Sequence, residues 1–444
     1  MYFKTLLASV AFAAVMSPPA TSSALAQQNG AQQNTAPAKK DCPAALPKGT
    51  ECFAGADENG AFYWIAKPEK WNGVLVVHSH GGPRTAKPKP DDPVEDLERF
   101  AVTVQEGYAW AGSNYRREGY GVRMAAEDTD NVRKIAEKML GDPRLTLLHG
   151  QSWGGNVAAK TAELYALDAA GKKNYDGVVL TSGVLGGGTG SYGFRADLRA
   201  VYQYYCKNHP RADEPQYVVA QGLPKDGKMP RADLDKRVEE CTGISLAKDK
   251  RSPEQAKNLA NILAVVKVPE STMVSHLSWA TGLFQDIVWR RLDGKVPFDN
   301  SKTVYSGSDD DAALNKGVQR FTADVEGRRL LAYDADLTGA ITLPTITMHA
   351  KNDPTANVEL EAQYREVVAK AGNSDLLVQN FTDENQHSKL STPQYAALFS
   401  SMIEWIDKGT KPTRASVAEA CQGASGRYNE PCRFIMDWEP KLGQ

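Results

Sequence analysis

A serine flanked by glycines is the residue of this sequence best suited to attack a carbonyl carbon. Gly150-Gln151-Ser152-Trp153-Gly154 has the G-x-S-x-G pattern, between the apolar run LTLLH and a helical pattern. In a strand–turn–helix setting such a serine sits on a strained turn, where flanking glycines prevent side-chain collisions. The helix that follows directs its positive N-terminal end at a developing oxyanion. Ser152 is therefore the predicted nucleophile.

The serine hydroxyl is a weak acid, so it needs a base, and the base needs an orienting carboxylate. In this topology the chain order is serine, then acid, then histidine. Asp353 is predicted to lie in a loop just past a strand, at the sheet edge where α/β proteins assemble their sites. Of seven histidines, only His387 follows Asp353. Asp353 and His387 are the predicted acid and base, with three alternative acids left open: Asp334, Asp336 and Glu384.

A Gly-Gly-Pro turn follows an earlier apolar run, VLVVHS. Small residues there allow backbone N–H groups to approach a tetrahedral oxyanion. The predicted oxyanion hole combines the amide of Gly82 with that of Trp153, and Gly81 is the near alternative to Gly82. His78 and His80 come too early in the chain to be the base, and we expect them to be packed structural residues.

The elements that must position these residues follow from the apolar patterns. Alternating or continuous apolar runs predict strands at 61–66, 74–78, 108–112, 145–149, 177–181, 345–348 and 376–378. Helical periodicity predicts helices at 124–140, 153–170, 253–266, 358–371 and 396–406. Strands that alternate with helices at this spacing indicate an α/β fold, with a mostly parallel sheet and helices on both faces.

The alternation of strands and helices stops between about residues 190 and 340, where the sequence is charged and favours helices. We therefore expect a large helical cap insertion there. The predicted organisation is a signal peptide at 1–26, an N-terminal tether at 27–60, the first part of the core at 61–189, the cap at 190–340, the second part of the core at 341–408 and a C-terminal extension at 409–444.

The N-terminal segment has the features of an export signal. Lys4 precedes an apolar run from Leu6 to Met16, and Ala24-Leu25-Ala26 gives the small-x-small cleavage pattern. The apolar run is shorter than the roughly 20 residues that a membrane-spanning helix needs. We expect the processed chain to be secreted or periplasmic, without an integral membrane segment.

Six cysteines agree with an oxidising destination. None of them forms a CxxC motif, which argues against a zinc ribbon or a redox site. Of the 15 possible pairings, the sequence-local one is favoured, 42–52, 206–241 and 421–432, and free buried thiols are the alternative.

The charges are nearly balanced, with 52 Lys and Arg against 54 Asp and Glu and a net charge of −2. Such a chain offers no electrostatic footprint for a polyanion. We do not expect nucleic acid as a partner.

Three segments together resemble the α/β-hydrolase superfamily, over about residues 60–190 and 341–408: HGGP at 80–83, NYRREGYG at 114–121 and GQSWGG at 150–155. Within it they are similar to secreted bacterial esterases and to the prolyl oligopeptidase-like branch. The resemblance implies Ser152 as nucleophile, Asp353 as acid and His387 as base, with no metal and no organic cofactor. The segment before the sheet is too short for the propeller of prolyl oligopeptidases, and the insertion is long even for a capped esterase.

The sequence thus predicts an exported serine hydrolase that cleaves carboxylic esters, of small molecules or of polymers, through an acyl-enzyme. The alternatives are a serine peptidase or amidase, and a non-catalytic binding protein with the same fold. Three aromatic residues of the insertion, Trp279, Phe284 and Trp289, either line an acyl pocket or form the core of the cap.

Overall fold

The structure is a computed structural model that describes residues 35–442. The predicted signal peptide and residues 27–34 of the predicted tether lie outside the described residues. The described part of the chain contains one sheet of ten strands: β1 Thr35–Lys40, β2 Glu51–Ala56, β3 Phe62–Lys67, β4 Val74–Ser79, β5 Ala109–Ser113, β6 Leu145–Gln151, β7 Gly177–Thr181, β8 Thr345–Ala350, β9 Leu377–Thr382 and β10 Phe434–Ile435.

The strand order is β1-β2-β3-β5-β4-β6-β7-β8-β9-β10. The central strands from β5 to β9 are parallel to one another, while β1, β2, β3 and β10 pair antiparallel at the two sides. The exchange of β4 and β5 creates a switch point beside β4 and β6, where ligands of open α/β sheets bind. This is the α/β-hydrolase fold, and it confirms the predicted fold class.

Helices cover both faces of the sheet. Those of the described residues are α1 Asp92–Arg99, α2 Val102–Gln105, α3 Val122–Leu140, α4 Trp153–Tyr165, α5 Gly187–Gly190, α6 Gly193–Cys206, α7 Arg231–Thr242, α8 Pro253–Val266, α9 Glu270–Gln285, α10 Asp311–Gly317, α11 Val325–Ala335, α12 Glu359–Lys370, α13 Thr392–Lys408 and α14 Arg414–Tyr428. In the part of the chain from 35 to 442, no helix has the length and apolar character needed to cross a membrane.

Strand β4 illustrates why the apolar runs of the central strands of the sheet are continuous. Val74 and Val76 belong to the core on the side of α1 and α13, whereas Leu75 and Val77 belong to the core on the side of α3 and α4. Because each face of a parallel sheet is buried, the successive residues 74–77 of the strand are all apolar.

Helix α4 ends at Tyr165, earlier than the sequence predicts. Beyond it, the side chain of Asp168 accepts hydrogen bonds from the backbone N–H groups of Ala170 and Lys172, at 2.9 and 2.8 Å. An aspartate that bonds its own neighbouring backbone favours a turn over a helix.

The predicted tether is wrong for residues 35–56, because β1 and β2 extend the sheet beyond β3. An edge strand is held by backbone hydrogen bonds, so β1 needs no apolar periodicity. In β2, buried Cys52, Ala54 and Ala56 alternate with more exposed residues. The core therefore begins well before residue 61.

The insertion is helical as predicted: α5 to α11 span residues 187–335, the segment called the cap below. Among the described residues, no strand lies between β7 and β8. The apolar core of the cap includes Val201, Leu277 and Phe284, and it is continuous with Tyr120 and Trp153 of the sheet domain. Trp153 directly follows the predicted nucleophile, so the cap packs next to Ser152.

The three disulfides are Cys42–Cys52, Cys206–Cys241 and Cys421–Cys432, which confirms the predicted pairing. The second joins α6 to α7 inside the cap. The third ties α14 to the segment before β10, and β10 pairs with β9. The C-terminal extension thus adds an edge strand to the sheet.

We expect the double variant Cys206→Ala/Cys241→Ala to loosen the cap. The bond spans 35 residues, and a loop of that length contributes about 3–4 kcal/mol to the free energy of unfolding. Urea denaturation should show the loss, and limited proteolysis should cut first within the cap. The matched control is Cys421→Ala/Cys432→Ala, for which early cleavage should fall in the C-terminal extension. Identical cleavage patterns for the two variants would contradict this expectation.

Candidate active site

Ser152 lies on a strained turn between β6 and α4. Its φ and ψ angles are 59° and −127°, a conformation that costs a non-glycine residue about 1–3 kcal/mol. A Cβ on Gly150 would collide with the carbonyl oxygen of Gly154, and a Cβ on Gly154 with the carbonyl oxygen of Ser79. The two glycines of the motif therefore allow the sharp turn that presents the serine side chain.

Three predicted side chains meet at the carboxyl ends of β6, β8 and β9. His387 Nε2 lies 2.7 Å from Ser152 Oγ, and His387 Nδ1 lies 2.7 Å from Asp353 Oδ2. Ser152 follows β6, Asp353 follows β8 and His387 follows β9. The parallel sheet thus brings together residues that are far apart in the sequence.

The carboxylate of Asp353 is buried, and both of its oxygens have hydrogen-bond partners. Oδ1 accepts the backbone N–H groups of Thr355 and Ala356 at 2.9 and 3.0 Å, and Oδ2 faces His387. Burial by itself would raise the pKa of Asp353, but the hydrogen bonds and charges of His349 and His387 hold that pKa well below its usual range. Asp353 is therefore an anion whose position is fixed from several sides.

His349 contacts the carboxylate of Asp353 from strand β8. The sequence alone does not predict this contact. His349 Nε2 lies 2.9 Å from the carbonyl oxygen of Ala356 and 3.5 Å from Asp353 Oδ2. Its Nδ1 lies 3.4 Å from Glu361 Oε1. Both ring nitrogens face acceptor oxygens, an arrangement that favours a doubly protonated ring. Although burial opposes the charge, Asp353 and Glu361 raise the pKa of His349 to about 10.

The signal for His349 is its position on β8, four residues before Asp353. Glu361 comes from α12, on the far side of a loop. No local spacing in the sequence pairs His349 with Glu361.

The alternative acids have other partners. Asp334 accepts the backbone N–H groups of Val122 and Arg123 at the start of α3. Asp336 accepts the backbone N–H and the hydroxyl of Thr189. Among residues 35–442, the carboxylate that bonds to His387 is that of Asp353, and Glu384 forms no ion pair with His387.

The predicted oxyanion residues border the serine. Gly82, Ser152 and Trp153 line one cavity of about 80 Å³. Gly82 has a φ of 73°, and a Cβ on it would meet open space, whereas a Cβ on Gly81 would lie 2.5 Å from Gln151 Oε1. Gly82 thus faces the cavity, while Gly81 packs against the side chain of Gln151.

His78 and His80 are buried, as expected for structural residues. His80 Nδ1 lies 2.5 Å from Asp96 Oδ2, and His78 Nε2 lies 3.2 Å from the same oxygen. Burial would raise the pKa of Asp96, but the two imidazoles hold it well below its usual range. Tyr115 donates its hydroxyl to the carbonyl oxygen of His80 at 2.9 Å. These contacts fix the chain just before Gly82.

Two residues of the cap bond to the loop that follows Asp353. His276 Nε2 lies 2.9 Å from the carbonyl oxygen of Pro354, and Arg195 Nη2 donates to that of Thr355 at 3.2 Å. Arg195 Nε also donates to His276 Nδ1 at 3.1 Å. Burial and the charge of Arg195 lower the pKa of His276 to about 3, so the neutral ring accepts at Nδ1 and donates at Nε2. No motif in the sequence signals this contact.

The 80 Å³ cavity adjoins a larger one of about 500 Å³, and the two share Trp279 as a lining residue. The ring of Phe284 instead stacks on that of Phe298 in the core of the cap, with 4.2 Å between the two ring centres. Trp289 donates its indole N–H to the carbonyl oxygen of Leu223 at 2.9 Å. The three aromatic residues are predicted either to line a pocket or to form the core of the cap. Of these, Trp279 lines the cavity beside Ser152.

Within residues 35–442, no three His, Cys, Asp or Glu side chains form a group that could hold a metal ion.

No protein-family model matches the sequence, and no curated protein matches it. Solved structures similar to this chain include feruloyl esterase B from Aspergillus oryzae, at 14% identity and a TM-score of 0.42, covering 82% of this chain and 81% of that chain. Candida antarctica lipase A has 12% identity and a TM-score of 0.44, covering 87% and 84%. A rice cell wall degrading esterase from Xanthomonas oryzae has 13% identity and a TM-score of 0.37, covering 74% and 81%.

The assignment of the fold rests on the strand order of the sheet. The similarity to the prolyl oligopeptidase-like branch stays a prediction.

The charge of His349 predicts how stability depends on pH. Because its pKa is raised in the folded state, its stabilisation is complete below the unfolded value of about 6.5 and is lost as pH rises towards about 10. The melting temperature should therefore fall across this interval, and less steeply in His349→Gln. The matched control is His209→Gln. His209 is also a buried histidine, but burial and the charge of Arg199 lower its pKa. Equal slopes for wild type and His349→Gln would contradict the charged state of His349.

Proposed function

We propose that this protein is a serine hydrolase of carboxylic esters, with Ser152 as nucleophile, His387 as base and Asp353 as orienting acid. One observation carries the proposal: an unbroken hydrogen-bonded chain runs from Ser152 Oγ through both nitrogens of His387 to Asp353 Oδ2, with 2.7 Å at each link. Such a chain is the geometry that activates a serine hydroxyl.

In the first half of the reaction, Ser152 Oγ attacks the ester carbonyl while its proton passes to His387 Nε2. The imidazolium that forms is stabilised by Asp353, because the carboxylate accepts the Nδ1–H bond. The carbonyl oxygen becomes an oxyanion, which accepts hydrogen bonds from the backbone amides of Gly82 and Trp153. The intermediate then collapses, and His387 donates its proton to the departing alcohol, which leaves an acyl-enzyme at Ser152.

In the second half, water attacks the acyl-enzyme and His387 Nε2 takes its proton. The same two amides stabilise the second oxyanion. Collapse of this intermediate releases the carboxylic acid, and His387 returns its proton to Ser152 Oγ. The cycle consumes one water and needs no metal or organic cofactor.

The disulfides support a further part of the proposal, that the chain is exported to a secreted or periplasmic location. Disulfides persist in oxidising compartments and are rare in the cytosol. All six cysteines form such bonds. Periplasmic fractionation of the expressing cells, beside a cytosolic marker, tests this part.

The triad should behave as one unit. Ser152→Ala, His387→Ala and the double variant should each lose about 1,000-fold or more in kcat, because residues that act together are not additive. A fluorophosphonate probe should label the wild type but not Ser152→Ala. Ser245→Ala, at an exposed serine of the cap, is the matched control and should keep both activity and labelling. Near-wild-type turnover by Ser152→Ala would remove Ser152 as nucleophile.

A substrate panel separates ester hydrolysis from the peptidase alternative. We expect p-nitrophenyl esters of varied acyl length to be cleaved and amino-acyl p-nitroanilides to be inert. Preferential cleavage of the anilides would replace the esterase proposal with a peptidase. Hydrolysis of neither, without probe labelling of Ser152, would favour a non-catalytic binding protein.

The cavity predicts different effects for two tryptophans of the cap. Trp279→Ala should change the ratio of kcat/KM between long-chain and acetyl esters, because a contact of about one methylene discriminates by about 1–3 kcal/mol. Trp289→Ala is the matched control, since Trp289 bonds within the cap. It should lower the melting temperature and leave the ratio unchanged. Proportional losses on all chain lengths for Trp279→Ala would rule out a substrate contact.

A further inference from the structure

Arg195 is a buried cation beside the proposed nucleophile. It lies in the first turn of α6 and is 4% exposed. Arg195 lines the 80 Å³ cavity together with Ser152 and Trp153. The proposed chemistry at Ser152 does not use the charge of Arg195, although the guanidinium bonds to His276 and to the loop after Asp353.

Arg195 has no carboxylate partner. In the part of the chain that the structure describes, none of the ion pairs within 4.0 Å includes it, although other well-buried arginines have one: Arg133 with Asp130 and Arg251 with Glu270. An unpaired buried charge is costly, because burial removes its hydration.

The hydrogen bonds of Arg195 leave one side of its guanidinium free. Nε donates to His276 and Nη2 to the carbonyl oxygen of Thr355, whereas Nη1 donates to no described residue. Nη1 is also absent from the fully buried polar atoms without a partner, so it keeps accessible surface.

Arg199 provides the contrast. It is also buried without a carboxylate, but its two Nη atoms donate to His209, Tyr217 and Gly222. It does not line the cavity beside Ser152.

Aromatic rings surround the guanidinium of Arg195. Its Cζ lies 5.2 Å from the ring centre of Tyr192, 4.6 Å from that of Phe194 and 4.8 Å from that of Trp279. These rings stabilise a cation weakly. A partner that enters from the cavity would therefore meet a donor whose position is already fixed by its hydrogen bonds and ring contacts.

We propose that Arg195 binds a carboxylate of the substrate, so that the ester attacked by Ser152 carries a carboxylate near its scissile bond. This inference rests on the proposed esterase function and narrows its substrate class. A planar guanidinium matches a carboxylate better than an ammonium does, and charge-assisted hydrogen bonds are the stronger ones.

The electrostatics agree with the geometry. Burial lowers the pKa of Arg195 to about 10, and the opposing effect comes from Tyr192 and not from an acid. The side chain is still charged at neutral pH. Glu359 lines a second cavity, of about 190 Å³, on which Arg195 also borders, but it forms no ion pair with Arg195. An incoming carboxylate thus supplies the charge that the described protein does not.

Matched ester pairs test the proposal on the wild-type protein. For a carboxylate on the acyl side, p-nitrophenyl hydrogen adipate is compared with p-nitrophenyl methyl adipate. For a carboxylate on the alcohol side, p-acetoxybenzoate is compared with methyl p-acetoxybenzoate. We expect the charged member of one pair to have a kcat/KM at least about 10-fold above its neutral partner, the size of one hydrogen bond to a charged group. Absence of a preference in both pairs overturns the proposal.

Variants assign the preference to Arg195. Arg195→Met should abolish it, mainly by raising KM for the charged ester, and Arg195→Lys should retain part of it. Arg133→Met is the matched control, because it removes another buried guanidinium, from α3, and should lower stability without changing the ratio. If Arg195→Met lowers kcat/KM for both members of a pair equally, Arg195 only holds the cap to the loop after Asp353, and the proposal is wrong.

The outcomes distinguish the two proposals. Hydrolysis of neutral esters with probe labelling of Ser152, but without a charge preference, removes the carboxylate site and leaves the esterase intact. Failure of all four esters together with failure to label Ser152 removes the esterase, and the carboxylate-bearing ester with it.

Discussion

The buried carboxylate of Asp353 is the interaction on which the site depends. Two backbone N–H groups hold Oδ1, and His349 lies 3.5 Å from Oδ2, the oxygen directed at His387. A buried anion is stable only when hydrogen bonds and opposite charge compensate its lost hydration. These compensating groups also fix the carboxylate in space, so the stability of the anion and the orientation of His387 have a common cause.

The turn at Ser152 shows the same coupling of stability and geometry. Its strained backbone is tolerated because β6 and α4 pack tightly on either side and because Gly150 and Gly154 remove the side chains that would collide. The first amides of α4 have no partner within the helix. The turn therefore places the half-buried side chain of Ser152 next to the amide of Trp153, the first residue of α4.

The cap participates in the site and does more than cover it. Arg195 and His276 bond to the carbonyl oxygens of Thr355 and Pro354, immediately after Asp353. Any displacement of the cap would disturb the loop that carries the acid. Arg195 thus lies between the loop after Asp353 and the cavity beside Ser152, where we propose that it binds a substrate carboxylate.

The sequence by itself determined the sheet, the serine turn, the order of Ser152, Asp353 and His387, and the local disulfides. These features follow from period-two and helical apolar patterns, glycine sterics and short separations along the chain. It failed at residues 35–56, where β1 and β2 take the place of the predicted tether, because an edge strand such as β1 needs only backbone hydrogen bonds. The partners of His349 and Arg195 were decided by the tertiary structure alone. They come from elements brought together only when the sheet and the cap fold, and no local pattern encodes such contacts.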